Sequence, residues 1–331
     1  MGKRQHSSEQ LAKSLASGDR VALSQAITLI ESTRREDRIL AEKLITEIYP
    51  STGKSVRIGI TGVPGVGKST FIESFGDLLT KENHKVAILA IDPSSTQSRG
   101  SILGDKTRMD KLAINDRAFI RPSPNSGVLG GVANSTRESI LLCEAAGFDI
   151  IIIETVGVGQ SEINVKNMTD FFLLLMLAGA GDELQGIKRG IMEMADLIAI
   201  NKADGNNLQP AKRSQAAYKN ALHLLAPHAT GWQTPVVLCS AINNIGIQEI
   251  GGHISAFKKE MTDSGYWDEQ RNRQRVEWFE ELLNHRILQQ FMLKPGIPET
   301  LAQIKEKVAQ NKIAPTEATK KVINSLMNDL S

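Results

Sequence analysis

Short apolar runs alternate with amphipathic stretches from Val56 to about Lys259. The runs are rich in Val, Ile, Leu and Phe, and they cover residues 56–61, 86–91, 118–121, 150–153, 171–178, 197–200 and 236–239. Stretches with helical spacing separate most of them, including 135–146 and 186–194. Such alternation predicts an α/β fold with a mostly parallel sheet and helices on both faces. In folds of this kind, ligands bind at the carboxyl ends of the strands.

Helical patterns without strands lie on both sides of this region. Asp19 can cap a helix before the first strand, and Pro50 ends a second one. After about Lys259 the sheet pattern stops, and residues 267–291 form a long, charge-rich amphipathic stretch. Such a tail packs back on the core or pairs with another subunit, and we favour a dimerisation arm. The predicted domains are a helical N-terminal extension over 1–53, an α/β domain over 54–260 and a helical C-terminal arm over 261–331.

The turn after the first apolar run has the residue types of a phosphate site. It matches the pattern G-x-x-x-x-G-K-[ST] between a strand and a helix, and it consists of Gly62, Val63, Pro64, Gly65, Val66, Gly67, Lys68, Ser69 and Thr70. Glycines let successive backbone N–H groups point at phosphate oxygens, and the following helix adds the positive end of its dipole. Lys68 can reach the β- and γ-phosphates, and Ser69 can ligate Mg²⁺. A chance match occurs in roughly one chain of this length in a hundred, so we predict a nucleoside triphosphate site.

A second motif, Asn201-Lys202-Ala203-Asp204, directly follows a later apolar run. The Asp204 carboxylate can accept hydrogen bonds from N1–H and from the N2 amine of guanine, a donor pair that adenine lacks. We expect Asn201 to hold the loop and the base edge, and the aliphatic stem of Lys202 to cover the ring. Alone, the tetrapeptide is also an ordinary strand-to-helix turn, but its place downstream of the phosphate motif favours GTP over ATP.

The turn after the last apolar run is the natural second contact for the base. Ser240, Ala241 and Ile242 lie there, and we expect their backbone N–H groups to contact guanine.

Acidic residues near strand ends are candidates for the metal. Asp92 ends the second run, Glu154 ends the fourth, and Asp105 lies in a glycine-bracketed segment. Mg²⁺ prefers a few carboxylates or hydroxyls together with phosphate oxygens and water. Each of the three acids could instead cap a helix or satisfy a loop. Position at a strand end favours the magnesium role for Asp92 and Glu154. For Asp105, position does not distinguish a magnesium ligand from a helix cap or loop contact.

The segment after Glu154 is typical of a γ-phosphate sensor. Gly157 can bring its backbone N–H to the terminal phosphate, but Val158 occupies the position where such loops commonly carry glutamine. Gln160 lies further on, and its geometry does not follow from the sequence. This departure predicts slow intrinsic hydrolysis that a partner stimulates.

Composition narrows the function classes further. The 39 basic and 37 acidic residues leave a net charge of +2, so nothing favours a nucleic-acid partner. The two cysteines offer no metal-ligand spacing and suggest a reducing compartment. The N-terminus has no apolar signal core, and the 171–178 run is too short to span a bilayer. We therefore expect a cytoplasmic protein without a membrane partner.

Four longer segments together resemble one family. They are Asp92-Pro93-Ser94-Ser95, residues 100–109 (GSILGDKTRM), residues 154–162 (ETVGVGQSE) and residues 181–188 (GDELQGIK). These segments are similar to the MeaB/ArgK type of P-loop GTPase, the methylmalonyl-CoA mutase-associated chaperones that are also labelled LAO/AO transport ATPases. The resemblance covers almost the whole chain, with residues 54–260 as the P-loop GTPase domain.

The resemblance implies a function and a partner that composition and spacing do not reveal. It implies a homodimer that binds adenosylcobalamin-dependent methylmalonyl-CoA mutase, uses GTP to gate cofactor loading, and protects or reactivates the mutase. By matching motif, the phosphates lie on residues 62–70, and Mg²⁺ is surrounded by Ser69, Asp92, Asp105 and Glu154. Three nucleotide-sensing switches correspond to 99–108, 154–166 and 178–188. The catalytic candidates are Lys68, Glu154 and Lys188, and Lys188 also links nucleotide state to the partner.

Three alternatives remain open at this point. A kinase that acts on a transport protein would use ATP, and Asp204 speaks against it. A GTPase that inserts metal into a hydrogenase or urease usually carries His- or Cys-rich stretches, and the six scattered histidines and two cysteines offer none. The partner could also be another acyl-CoA mutase of the cobalamin class.

Overall fold

A computed structural model describes residues 7–91, 109–122, 129–155, 161–178, 189–225, 228, 230–292 and 296–328. The chain forms two compact units, Met1–Arg271 and Asn272–Ser331. Asp92, Asp105, Gly157, Val158, Gln160 and Lys188 lie outside the described residues.

The first unit is built on a seven-stranded parallel sheet. Its strands are β1 (Val56–Gly62), β2 (Val86–Ile91), β3 (Ala118–Arg121), β4 (Ile150–Thr155), β5 (Phe171–Leu177), β6 (Leu197–Asn201) and β7 (Val236–Leu238). The order across the sheet is β3-β2-β4-β1-β5-β6-β7, which puts β1 at the centre between β4 and β5. The predicted α/β fold with a parallel sheet is confirmed.

Helices of the first unit lie before, between and after the strands. They are α1 (Ser8–Ala16), α2 (Arg20–Ile30), α3 (Arg35–Ile48), α4 (Lys68–Lys81), α5 (Asp110–Ala113), α6 (Leu129–Ala145), α7 (Ser161–Lys166), α8 (Arg189–Met194), α9 (Leu208–Leu222) and α10 (Ile247–Asp263). A further helix, α11 (Tyr266–Met292), begins in this unit. No helix in the described ranges is long and apolar enough to cross a membrane.

Hydrophobic cores cover both faces of the sheet. On one face, Ile58, Ile60 and Leu173 pack in a cluster with residues of α4 and α10. On the other face, Ile151 and Ile153 share a cluster with buried residues of α1, α2, α3 and α6. A third cluster joins β5 and β6 to α8 and α9. Because successive side chains of a strand point to opposite faces, covering both faces explains why the strands are mostly continuous apolar runs.

Two of the differences from the sequence expectation have a clear physical reason. Strand β4 continues through Glu154 to Thr155, because β2 pairs with it through Ala90↔Glu154 and Ile91↔Thr155. Helix α1 was not predicted, although its signal is present: Ser7 and Gln10 form a capping box at its start.

The amino ends of the central strands are held by a buried ion cluster. Asp170 precedes β5 and is 1% exposed, and it pairs with both Arg57 of β1 and Arg271 of α11. The Arg271 guanidinium also donates to the carbonyl oxygens of Gly53 and Ser55, at 2.5 and 2.6 Å. Burial opposes ionisation of Asp170, but the two guanidinium groups outweigh it and lower the pKa of this carboxyl. The cluster therefore fastens the start of α11 to the sheet.

The second unit is helical in its described residues. It contains the rest of α11, followed by α12 (Ile297–Ala309) and α13 (Pro315–Asn328), and the last two helices pack on each other.

We expect Asp170→Asn to destabilise the fold by about 3–5 kcal/mol at neutral pH, because two buried guanidinium groups lose their counter-charge. The folded pKa of Asp170 lies below its unfolded value, so its stabilising contribution is present above about pH 4 and is lost as pH falls through the folded pKa. Urea unfolding of wild type and variant at several pH values measures this, and the difference should shrink in acid.

Asp77→Asn is the matched control, because it breaks the exposed Lys81–Asp77 pair. Exposed pairs of this kind contribute about 0–1 kcal/mol. Equal losses for the two variants would contradict the role assigned to the buried cluster.

Candidate nucleotide-binding site

The path of the loop between β1 and α4 depends on two glycines at positions where no side chain would fit. A Cβ on Gly62 would lie 2.4 Å from the backbone oxygen of Leu175 on β5. Gly67 caps α4 in the left-handed conformation, and a Cβ there would lie 2.9 Å from Nδ2 of Asn201. The first glycine lets the loop leave the sheet close to its neighbour, and the second aims the amino end of α4 into the loop.

Lys68 is the first residue of α4, and its ammonium folds back over the loop. Its Nζ donates to the carbonyl oxygen of Gly62 at 2.7 Å, and only 9% of the residue is exposed. Burial lowers the pKa of Lys68, while the carboxylates of Glu154 and Glu162 act in the opposite direction. The Lys68 ammonium, which the sequence predicts to reach the β- and γ-phosphates, thus already lies at the loop.

Ser69 and Glu154 bring two hard oxygen donors together beside the loop. The Ser69 hydroxyl donates to Oε1 of Glu154 at 3.4 Å, and Glu154 is 6% exposed. A hydroxyl and a carboxylate in this arrangement fit a Mg²⁺ ion. No three His, Cys, Asp or Glu side chains cluster as a metal site within the described ranges. The described part of the site therefore holds two of the four predicted ligands, Ser69 and Glu154.

Asn201 ends β6 and ties three loops together. Its Nδ2 donates to the carbonyl oxygen of Val66 at 2.9 Å, and its Oδ1 accepts from the backbone N–H of Ala241 at 3.1 Å. The neighbouring Lys202 adds a second link, from Nζ to the carbonyl oxygen of Gly65 at 2.8 Å. Asn201 is 2% exposed, and both of these side-chain amide contacts lie within the protein.

Asp204 is held by the loop that follows β7. Its Oδ2 accepts a short hydrogen bond from the Ser240 hydroxyl and a second from Nδ2 of Asn243 at 3.2 Å. Asn243 lies outside the N-K-x-D motif. The sequence signal for its position is Ser240, three residues earlier, whose hydroxyl accepts from the Asn243 backbone N–H.

The backbone of that same loop is partly engaged within the protein. The N–H of Ser240 donates to the Ile245 oxygen at 2.9 Å, and the N–H of Ala241 donates to Asn201. From the sequence, we expect the N–H groups of Ser240, Ala241 and Ile242 to contact the base. Of these, the Ile242 N–H is the one without a protein acceptor in the described part of the chain.

Comparison with known proteins identifies the family. The family model described as "Methylmalonyl Co-A mutase-associated GTPase MeaB" matches residues 23–296. The chain belongs to the MeaB family. As a member it is a GTP hydrolase, which confirms the predicted enzyme class, and many of its relatives are named GTPases.

Similar proteins cover most of the MeaB-family chain. It is 51% identical over 276 residues to "GTPase ArgK" of Escherichia coli, covering 82% of this chain and 83% of that one. It is 45% identical over 326 residues to the mouse protein "Methylmalonic aciduria type A homolog, mitochondrial", covering 96% and 79%. A solved structure, a "LAO/AO transport system kinase", aligns with TM-score 0.77 and 37% identity over 99% of this chain and 100% of that one. These matches confirm the MeaB/ArgK resemblance and the fold.

We expect Asn201→Ala to destabilise the fold and to weaken nucleotide binding. The change leaves the buried N–H of Ala241 and the carbonyl of Val66 without their partner, at about 1–3 kcal/mol for each group. Chemical denaturation and the Kd for GDP measure the two effects.

Lys202→Ala is the control for the stability measurement alone, because the Lys202 side chain is exposed and losing its hydrogen bond to Gly65 should cost little folding free energy. Equal stability of Asn201→Ala and wild type would contradict a role for the Asn201 side chain in holding the loops together.

Proposed function

We propose that this MeaB-family GTPase is a chaperone that gates adenosylcobalamin loading onto methylmalonyl-CoA mutase, or a related acyl-CoA mutase, and protects or reactivates that enzyme. The observation that carries the proposal is the family match over residues 23–296, since the family is described by its association with the mutase. The mouse relative, named for methylmalonic aciduria, supports it over 96% of the chain.

In this proposal residues 62–70 bind the phosphates of GTP. Lys68 moves from the Gly62 carbonyl to the β- and γ-phosphate oxygens, a change that its position at the loop supports. Asp204 accepts the two guanine donors, the stem of Lys202 covers the ring, and the loop of Ser240, Ala241 and Ile242 borders the base. The contacts of Asn201 with Val66 and Ala241 support a role in aligning phosphate and base sites.

Mg²⁺ is proposed to bind between the loop and β4. Ser69 and Glu154 would hold it together with Asp92 and Asp105, and the adjacent hydroxyl and carboxylate support this set. Bound Mg²⁺ supplies positive charge that offsets the charge developing on the phosphates.

For hydrolysis, the proposed catalytic residues are Lys68, Glu154 and Lys188. Val158 stands where glutamine would orient the attacking water, so the free protein should hydrolyse GTP slowly and the mutase should accelerate it.

The segments 99–108, 154–166 and 178–188 are proposed as nucleotide-sensing switches. The second of them ends at a fixed point, because Nζ of Lys166 donates to Oδ2 of the buried Asp196 at 2.7 Å. Its other end lies in β4, which is paired on both sides. Movement that starts at the γ-phosphate would therefore be confined between these two anchors.

A homodimer through α11 completes the proposal. The apolar side chains of Val276, Phe279, Leu283 and Ile287 recur at helical spacing and are 45–62% exposed. A stripe of this kind is typical of a helix that pairs with another helix. We also propose a cytoplasmic location, which the two buried, free thiols support.

A kinase for a transport protein is the second candidate, and the solved LAO/AO relative favours it because that protein is described as a transport system kinase. ATP would be its usual donor, and the carboxylate of Asp204 suits guanine better.

GTP hydrolysis measured with and without purified mutase tests the function. We expect the mutase to bind the chain in a nucleotide-dependent way and to accelerate hydrolysis at least about tenfold. Lys68→Ala should bind the mutase but hydrolyse no GTP in either condition. Absence of mutase binding with GDP, GTP and a non-hydrolysable GTP analogue would overturn the proposal.

The dimer is tested by charge on the α11 stripe. Phe279→Glu and Ile287→Glu should shift the protein to monomer in sedimentation experiments, since each buries a carboxylate in an apolar contact. Asn284→Glu adds the same charge at an exposed position beside the stripe and should leave the dimer intact. A dimer that survives both stripe variants would place the interface elsewhere.

A further inference from the structure

The carboxylate of Asp204 lies in a closed ring of hydrogen bonds. Ser240 donates its hydroxyl to Oδ2 of Asp204, and Nδ2 of Asn243 donates to the same oxygen at 3.2 Å. The backbone N–H of Asn243 in turn donates to the Ser240 hydroxyl at 3.3 Å. One loop therefore fixes the direction of the carboxylate through two separate side chains.

The ring leaves the Asp204 carboxylate with enough free hydrogen-bond acceptor sites to bind guanine. An ionised carboxylate has about four lone-pair sites. Two of these accept from Ser240 and Asn243. The sites that remain, including those of Oδ1, match the two donors N1–H and N2–H of guanine.

The loop itself does not need the Asn243 side chain. Ser240 and Ile245 exchange backbone hydrogen bonds of 2.9 and 3.1 Å, which close the loop as an antiparallel bridge. Gly246 completes the turn with φ of 73°, where a Cβ would lie 2.3 Å from the Leu238 oxygen. Asn243 is exposed, and its backbone bond to Ser240 would persist after truncation of the side chain.

We infer that Asn243 is a positioning residue for guanine specificity, which acts by orienting the Asp204 carboxylate. The inference rests on the proposed guanine site and deepens it, because it assigns specificity to a residue outside the N-K-x-D motif. An oriented carboxylate meets the base with less loss of side-chain freedom on binding. Adenine has no donor pair for this carboxylate, so Asn243 acts on guanine affinity alone.

Calorimetry with GDP, ADP and xanthosine diphosphate tests the inference on the full-length protein. Asn243→Ala should raise the Kd for GDP about three- to tenfold, as expected when one side chain that was oriented beforehand must instead be ordered on binding. The Kd for ADP, the Tm and kcat at saturating GTP should not change. Asn243→Asp should weaken GDP further, because it faces Asp204 with a like charge. Gln248→Ala, an exposed position in the first turn of α10, is the control.

Asp204→Asn separates this inference from the proposed guanine site. That variant should lose GDP affinity and gain affinity for xanthosine diphosphate. In the Asp204→Asn background, Asn243→Ala should cost less GDP affinity than in the wild type, since the two residues act through one contact.

Three results would overturn the inference, and they have different meanings. If Asp204→Asn switches the base preference while Asn243→Ala and Asn243→Asp bind GDP like wild type, the inference fails and the guanine site stands. Equal weakening of GDP and ADP with a lower Tm would show a structural role for Asn243. No effect of Asp204→Asn on GDP or xanthosine diphosphate would remove the guanine site and the inference together.

Discussion

The buried amide of Asn201 is the contact on which the geometry of the site depends. It joins the phosphate loop to the last two loops at the carboxyl edge of the sheet, through Val66 on one side and Ala241 on the other. The three segments belong to different strands, and no covalent constraint aligns them. Because each hydrogen bond is buried, breaking it leaves a polar group that water cannot reach. The free-energy cost of such a group disfavours any change in the alignment. The proposed phosphate site and the proposed base site are thereby held at a fixed separation.

Much of the fold was predictable because burial on both faces leaves a clear mark in the sequence. The strands β2 and β3 have the bounds that their apolar runs predict. Strand β4 runs further than its isoleucines, since β1 and β2 both pair with it at Glu154 and β2 also pairs with it at Thr155. The signal of helix α1 is the capping box of Ser7 and Gln10, which apolar spacing does not show. Strand pairing and helix capping are thus the two effects that the spacing of apolar residues does not reveal.

The sequence predicts the residue types of the proposed site, but not the contacts among them. Motifs point to Lys68, Ser69 and Asp204 because binding phosphate, metal and guanine each requires one kind of side chain at one place. They do not reveal that the Ala241 N–H is taken by Asn201, or that Asn243 reaches Asp204, since both contacts arise from how separate loops meet in space. The mutase and the cobalamin cofactor came from resemblance alone. No pattern of charge or spacing encodes them.

The ion cluster around Asp170 has a consequence for how the protein is made. Arg271 donates a hydrogen bond to the carbonyl oxygen of Gly53, which lies 218 residues earlier in the chain. During synthesis on the ribosome, the carboxylate of Asp170 has Arg57 as its nearby partner long before Arg271 emerges. The amino edge of the sheet therefore closes late, after all seven strands have left the exit tunnel. Nascent chains that stop short of α11 would present this edge to chaperones and proteases.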